Sequence, residues 1–90
     1  MATYRIEFVK SAAKEFKRLP EKVRSKTLEA LRFLSQNPYS DLLNIKKLKG
    51  AEQLYRIRIG DYRVVYEVRS DVLLIVVIKV GHRSEVYRRL

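Results

Sequence analysis

Two alternating runs, Leu54 to Ile59 and Tyr62 to Val68, flank the dipeptide Gly60-Asp61, the pattern of a β-hairpin closed by a two-residue turn. A turn of that length fixes the register. Ile59 then faces Tyr62, Arg58 faces Arg63 and Ile57 faces Val64. Arg56, Arg58 and Arg63 fall on one face, and Tyr55, Ile57, Ile59 and Tyr62 on the other. Two arginines directly opposite each other repel, at a cost of about 0.2–1 kcal/mol. Their placement therefore points to a bound polyanion, with an ordinary solvated sheet face as the alternative.

Ninety residues make one domain, residues 1–90, of a size that buries about 60 to 65% of the unfolded chain's surface. The sequence is 47% hydrophobic with three glycines and two prolines, which argues against disorder and for a compact core. There is no cysteine. Disulfides and cysteine-based zinc sites are excluded, and a reducing, cytoplasmic location fits. The opening Met1 to Lys10 lacks an apolar signal core. The longest apolar run, Val72 to Ile78, falls far short of the roughly 20 residues a membrane span needs and reads as a buried strand. The net charge of +10 exceeds the magnitude of about 2 to 8 that suffices for solubility. It points to a nucleic acid, an anionic membrane surface or an acidic protein as partner, with a polyanion favoured over a mere solubility device.

Tyr4, Ile6 and Phe8 alternate with Arg5 and Glu7 as a first strand. Ser11 is placed to cap a short helix through about Arg18, with Ala12, Phe16 and Leu19 inward. A second helix, about Glu21 to Gln36, turns Val23, Thr27, Ala30, Leu31 and Leu34 inward and Lys22, Arg24, Lys26, Glu29 and Arg32 outward. Asn37-Pro38 stops it, and Tyr39 to Gly50 reads as a connector. Three strands follow, joined by Gly60-Asp61 and Arg69-Ser70-Asp71. The expected fold is α+β in the order β-α-α-β-β-β, a two-helix hairpin packed on a small antiparallel sheet.

No glycine loop for phosphates and no cysteine nucleophile is present, and His82 is the sole histidine, so neither metal nor cofactor is expected. RNA offers a metal-free route: its own 2′-hydroxyl attacks the adjacent phosphodiester when held in line, while cations stabilise the developing charge. Arginine suits that task, since its planar fork matches two phosphate oxygens and stays charged. Past Gly81 come His82, Arg83 and Tyr87, clustered at a strand end. Tyr87 is suited to stack on a base and His82 to exchange a proton near neutral pH; a packed tail aromatic and a surface histidine are the plainer readings. Lys46, Lys47 and Lys49 precede the arginine hairpin, either binding RNA or ribosomal phosphates or lining a solvated loop. Lys14, Lys17, Lys22 and Lys26, interspersed with Glu15, Glu21 and Glu29, read as a solvated helix face.

Leu48-Lys49-Gly50, Leu54-Tyr55-Arg56-Ile57-Arg58, Asp61-Tyr62-Arg63-Val64-Val65-Tyr66 and Val80-Gly81-His82-Arg83 with Tyr87 together resemble the RelE/ParE toxin superfamily, on its RelE side. The resemblance spans essentially the whole chain. It implies a type II toxin that cleaves mRNA in the ribosomal A site and is neutralised by an acidic, RelB-like antitoxin encoded beside it. By the same resemblance Arg56 and Arg58 are the basic strand, Arg63 stabilises the transition-state phosphate, Arg83 serves the leaving 5′-oxygen and Tyr87 stacks on or orients a nucleotide. Familiar RelE members carry lysines on that strand, one proposed as general base. Arginine, with a pKa above about 12, is a poor base, which leaves His82, Tyr87, Glu85 or pure charge stabilisation to fill the role. A ParE-like gyrase inhibitor and a non-catalytic RNA-binding module are the competing readings.

Overall fold

The computed structural model describes residues 3–39, 45–48 and 53–82. Lys49, Arg83, Glu85 and Tyr87 lie outside the described residues. The elements run β1 (Arg5–Phe8), α1 (Lys10–Lys17), α2 (Glu21–Gln36), β2 (Ile45–Lys47), β3 (Leu54–Ile59), β4 (Tyr62–Arg69) and β5 (Leu74–His82). They form one five-stranded sheet in the order β1-β5-β4-β3-β2, with α1 resting chiefly on β5 and α2 on β1 and β3. The α+β class and the helical pair are as expected. The sheet, however, is mixed rather than antiparallel: β1 runs parallel to β5, Arg5 beside Leu74 through Phe8 beside Val77. Local turn signals specify only neighbours joined by short loops, and this pairing closes over nearly the entire chain.

The hairpin register is as the turn length dictates, with Ile59 opposite Tyr62, Arg58 opposite Arg63 and Ile57 opposite Val64. Gly60 has φ +60° and Asp61 is not in the positive-φ region, the arrangement of a type II′ turn with glycine first. A side chain at Gly60 would meet no atom but would be held in a left-handed backbone.

Strand β4 is central. Val64, Tyr66 and Val68 are buried beneath the helices with Ile57, Ile75, Val77 and Val80 from its neighbours and Ala12, Leu31 and Leu34 from the helices. Alternation puts Val65 on the other face, yet it too is fully buried. Thr27, the one polar core residue among the described residues, satisfies its hydroxyl by donating to the Val23 carbonyl at 2.7 Å. The Tyr66 hydroxyl donates to the Pro38 carbonyl at 3.3 Å. Burial, and next the hydroxyls of Tyr55 and Tyr39, push the Tyr66 phenol far above its ordinary value of 10.0.

Three local readings differ from the structure. Helix α1 begins at Lys10, one residue before Ser11, because Val9 takes the capping position without a side-chain cap. The connector contains β2, whose three residues are too few to show a period. The β4–β5 turn extends through Leu73, so β5 starts at Leu74 and Val72 is 60% exposed. Leu73 supplies the left-handed step, φ 51°, that brings the chain back to pair Arg69 with Leu74.

β1 is short, so the edge of β5 beyond Val77 has no strand beside it. Helix α1 takes that place. Val9 donates its amide to the Val77 carbonyl at 3.0 Å, and one oxygen of the Glu15 carboxylate accepts the Val80 amide at 3.0 Å. The other Glu15 oxygen accepts the Lys79 ammonium. A carboxylate thus substitutes for an edge strand. Nearby, β5 carries a bulge: Lys79 pairs with Val65 and Val77 with Tyr66, leaving Ile78 without a partner across the ladder.

Two outcomes follow in thermal and chemical unfolding. Glu15→Ala strands a largely buried lysine and a strand amide and lowers stability by about 2–4 kcal/mol, whereas Glu15→Gln, which keeps an acceptor for Val80, loses about half of that; equal losses would show that charge alone matters. The Tyr66 phenol has a raised folded pKa, so its neutral form is favoured by folding. Its contribution is complete below about pH 10 and is lost as pH rises further. Tyr66→Phe therefore flattens the alkaline fall in stability, and an unchanged profile would assign that fall to other groups.

Candidate active site

Four cations that enter no ion pair among the described residues share the sheet face opposite the helices. β2 pairs with β3 so that Lys46 lies directly across from Arg56, and β3 pairs with β4 so that Arg58 lies directly across from Arg63. Successive same-face residues on a strand are about 6.6 Å apart, which sets two like-charged cross-strand pairs one step apart. Among the described residues three ion pairs form, Arg5 with Glu7, Arg69 with Glu67 and Lys79 with Glu15. None includes Lys46, Arg56, Arg58 or Arg63.

Each arginine is held differently. Arg63 bends back over the hairpin turn and donates to the carbonyls of Gly60 at 3.3 Å and Tyr62 at 3.2 Å, which restrains its guanidinium. Arg58 is exposed, and the end of β3 that carries it, with Gly60, borders a hollow of about 250 Å³ whose other wall is Lys26, Glu29 and Phe33 of α2. Arg56 is half-buried beside Val65, and its Nε and one terminal nitrogen are shielded from solvent and have no hydrogen-bond partner among the described residues. A charged donor in that condition is costly unless a ligand supplies the acceptor. A phosphate oxygen is such an acceptor.

The hairpin therefore brings together Arg56, Arg58 and Arg63, as the sequence indicates, and adds Lys46 from β2. Lys47 lies on the opposite face, across from Tyr55. His82 also lies away from the arginines: it pairs with Tyr62 on the helix-covered face, its ring edge-on to that tyrosine at 5.1 Å. Gly81 is the β5 residue opposite Arg63, and it brings no side chain. Sequence reasoning missed the buried state of Arg56 and the alignment of Lys46. Only the apolar Ile45, which pairs with the buried Ile57, signals that the connector joins the sheet. Among the described residues no three histidine, cysteine or acidic side chains gather as metal ligands, and no helix is long and apolar enough to cross a membrane.

Residues 6–87 match the family described as the ParE toxin of type II toxin–antitoxin systems, parDE. The chain belongs to the RelE/ParE toxin superfamily. Within it, the chain is similar to Toxin RelE3 of Methanocaldococcus jannaschii, 36% identical over 85 residues that cover 92% of this chain and 94% of the relative. It is 33% identical over 88 residues to the mRNA interferase toxin RelE of Escherichia coli strain K12, covering 93% and 90% of the two chains. The crystal structure of the archaeal RelE–RelB complex from Pyrococcus horikoshii OT3 contains a chain that superposes with a TM-score of 0.80 at 33% identity, covering 91% of this chain and 97% of that one. The RelE/ParE assignment agrees with the ordered motifs around Arg56, Arg58 and Arg63.

A cationic side chain buried without a partner serves a ligand at the expense of the free protein. Arg56→Met is accordingly expected to raise the unfolding midpoint while weakening RNA binding at low salt. A lowered midpoint would show that Arg56 is instead part of the packing.

Proposed function

We propose that this protein is the toxin of a type II toxin–antitoxin pair and acts as an mRNA endoribonuclease. The observation that carries the reading is the Arg58–Arg63 cross-strand pair, two like charges whose mutual repulsion a phosphodiester relieves. The similarity to a protein named mRNA interferase toxin RelE supports the choice of RNA. In the reaction the 2′-oxygen attacks the adjacent phosphorus and gives up its proton, the bond to the 5′-oxygen breaks, and that oxygen takes up a proton. The products are a 2′,3′-cyclic phosphate and a 5′-hydroxyl. Arg63, restrained over its turn, stabilises the charge on the non-bridging oxygens, and Arg58 and Arg56 hold the same phosphate and its neighbour. Arg83 serves the leaving oxygen and Tyr87 orients a nucleotide, as the family resemblance implies.

This chemistry needs no metal, since fixed guanidinium charge does the work of a Lewis acid. General-base action by His82 gains no support from its place beside Tyr62; positioning by the ribosome and charge stabilisation account for the step. Lys46, Lys47 and Lys49 add affinity for RNA or ribosomal phosphates. Cleavage in the ribosomal A site places the toxin in the cytoplasm. The complex named RelE–RelB supports a RelB-like antitoxin, an acidic segment that covers the cationic face.

In a translating extract, primer extension is expected to show cuts within codons of a reporter message, unaffected by EDTA levels that spare translation. With Arg63→Ala, cleavage drops by at least about 100-fold, the scale of losing one oriented donor to a transition-state charge. Intact message in the presence of the wild-type protein would sink the RNase assignment, and DNA damage without cuts would favour gyrase, the competing target.

A further inference from the structure

Four of the six tyrosines, Tyr4, Tyr39, Tyr55 and Tyr66, gather at the end of the sheet remote from the hairpin turn. Tyr66 is buried and stacks on Tyr55, rings 5.8 Å apart at 22°; Tyr55 meets Tyr39 edge-on at 5.5 Å. Tyr39 leaves 51% of its surface in solvent. Its ring is nonetheless held at both ends, because its hydroxyl bonds Ser70 Oγ at 3.1 Å, an atom also reached by the Tyr4 hydroxyl at 3.3 Å. A large aromatic face that is both exposed and immobilised binds a flat partner with little loss of conformational freedom.

That ring borders a cleft of about 440 Å³ lined by Tyr39, Gln53, Tyr55, Arg69, Ser70 and Asp71, with Val68 at its floor. The volume lies in the range of small-molecule sites. Its aromatic wall takes a base face. The amide of Gln53 and the carboxylate of Asp71 offer acceptors to an exocyclic amine, and Arg69, whose Nε is bonded to Glu67, keeps its terminal nitrogens for a phosphate. Edge strand β2 links this cleft to the arginine face. Its alternation sends Lys46 to the Arg56 side and Lys47 to the Tyr55 side, so cationic charge passes round the edge of the sheet within one dipeptide.

We propose that the Tyr39–Tyr55 cleft is a second RNA subsite, which takes an amino-bearing nucleobase a few nucleotides from the scissile phosphate, with the RNA backbone wrapping the β2 edge over Lys46 and Lys47. The wrapping rests on the RNA-cleaving function proposed above; the cleft's affinity for a nucleotide does not.

Adenosine 5′-monophosphate titrated into the purified full chain is followed by amide shifts. The expected result is saturable shifts at Gln53, Ser70 and Asp71, with binding weakened at least fivefold in Tyr39→Ala, less than that in Tyr39→Phe, which keeps the ring face and loses only the Ser70 bond, and at least threefold weaker with uridine 5′-monophosphate. Shifts confined to the arginine hairpin, or cleft shifts produced by the antitoxin but not by the nucleotide, overturn the subsite. Equal binding of the two nucleotides overturns the reading of Gln53 and Asp71 as base-edge contacts. Lys47→Glu is expected to weaken a short RNA oligonucleotide at least threefold while leaving the mononucleotide unchanged; an unaffected oligonucleotide overturns the wrapped path. Because the titration needs no cleavage, a protein that cuts no message still tests the cleft.

Discussion

Strand β4 is buried on both of its faces, and the two burials do different things. Val64, Tyr66 and Val68 join the helices to the sheet, which supplies most of the apolar area a domain of this size has for stability. Val65 is buried on the face that carries the cations, beside Arg56 on one strand and Lys79 on the other. Each charged neighbour is thereby drawn into a partly desolvated setting. Lys79 is compensated by Glu15 from α1, and Arg56 has no acceptor among the described residues. The distinction between a neutralised edge and an open cationic face originates in this central strand.

The elements legible in the sequence were those with a local cause. Helix α2 runs from Glu21 to Gln36 as its spacing of Thr27, Ala30, Leu31 and Leu34 indicates, since burial of one helical stripe leaves a strong period. The Arg58–Arg63 opposition was legible because two residues of turn leave one register. What was hidden depended on distant partners. The parallel seating of β1 against β5, the recruitment of Lys46 by β2 and the use of Glu15 as an edge acceptor each join segments whose sequences contain no record of the other. Leu73 adopts a left-handed conformation that its side chain disfavours, so the turn could not be placed from residue preference.

The tyrosine cluster shows the same division. Each of Tyr4, Tyr39, Tyr55 and Tyr66 reads individually as a strand or loop aromatic. That Tyr4 and Tyr39 share Ser70, and that the rings of Tyr39, Tyr55 and Tyr66 follow one another, appears only when the end of α2, the hairpin and the β4–β5 turn meet. Burial raises the phenol pKa values of Tyr55 and Tyr66 above their ordinary 10.0, so both stay neutral further into the alkaline range.

The bulge at Ile78 has a consequence for how such a site can change over evolutionary time. Val77 and Val80 both point to the core although three positions separate them, because one residue is extruded between. That extra residue acts as a parity bit. With it, Gly81 falls opposite Arg63 and His82 stands on the far side with Tyr62; were the same residues paired one to one from Val77 onward, Lys79 would point into the core and Val80 would stand across from Arg63. Loss of Ile78 alone would leave every one of these pairings in place, so the extruded residue marks the point at which β5 can shorten while Gly81 stays across from Arg63.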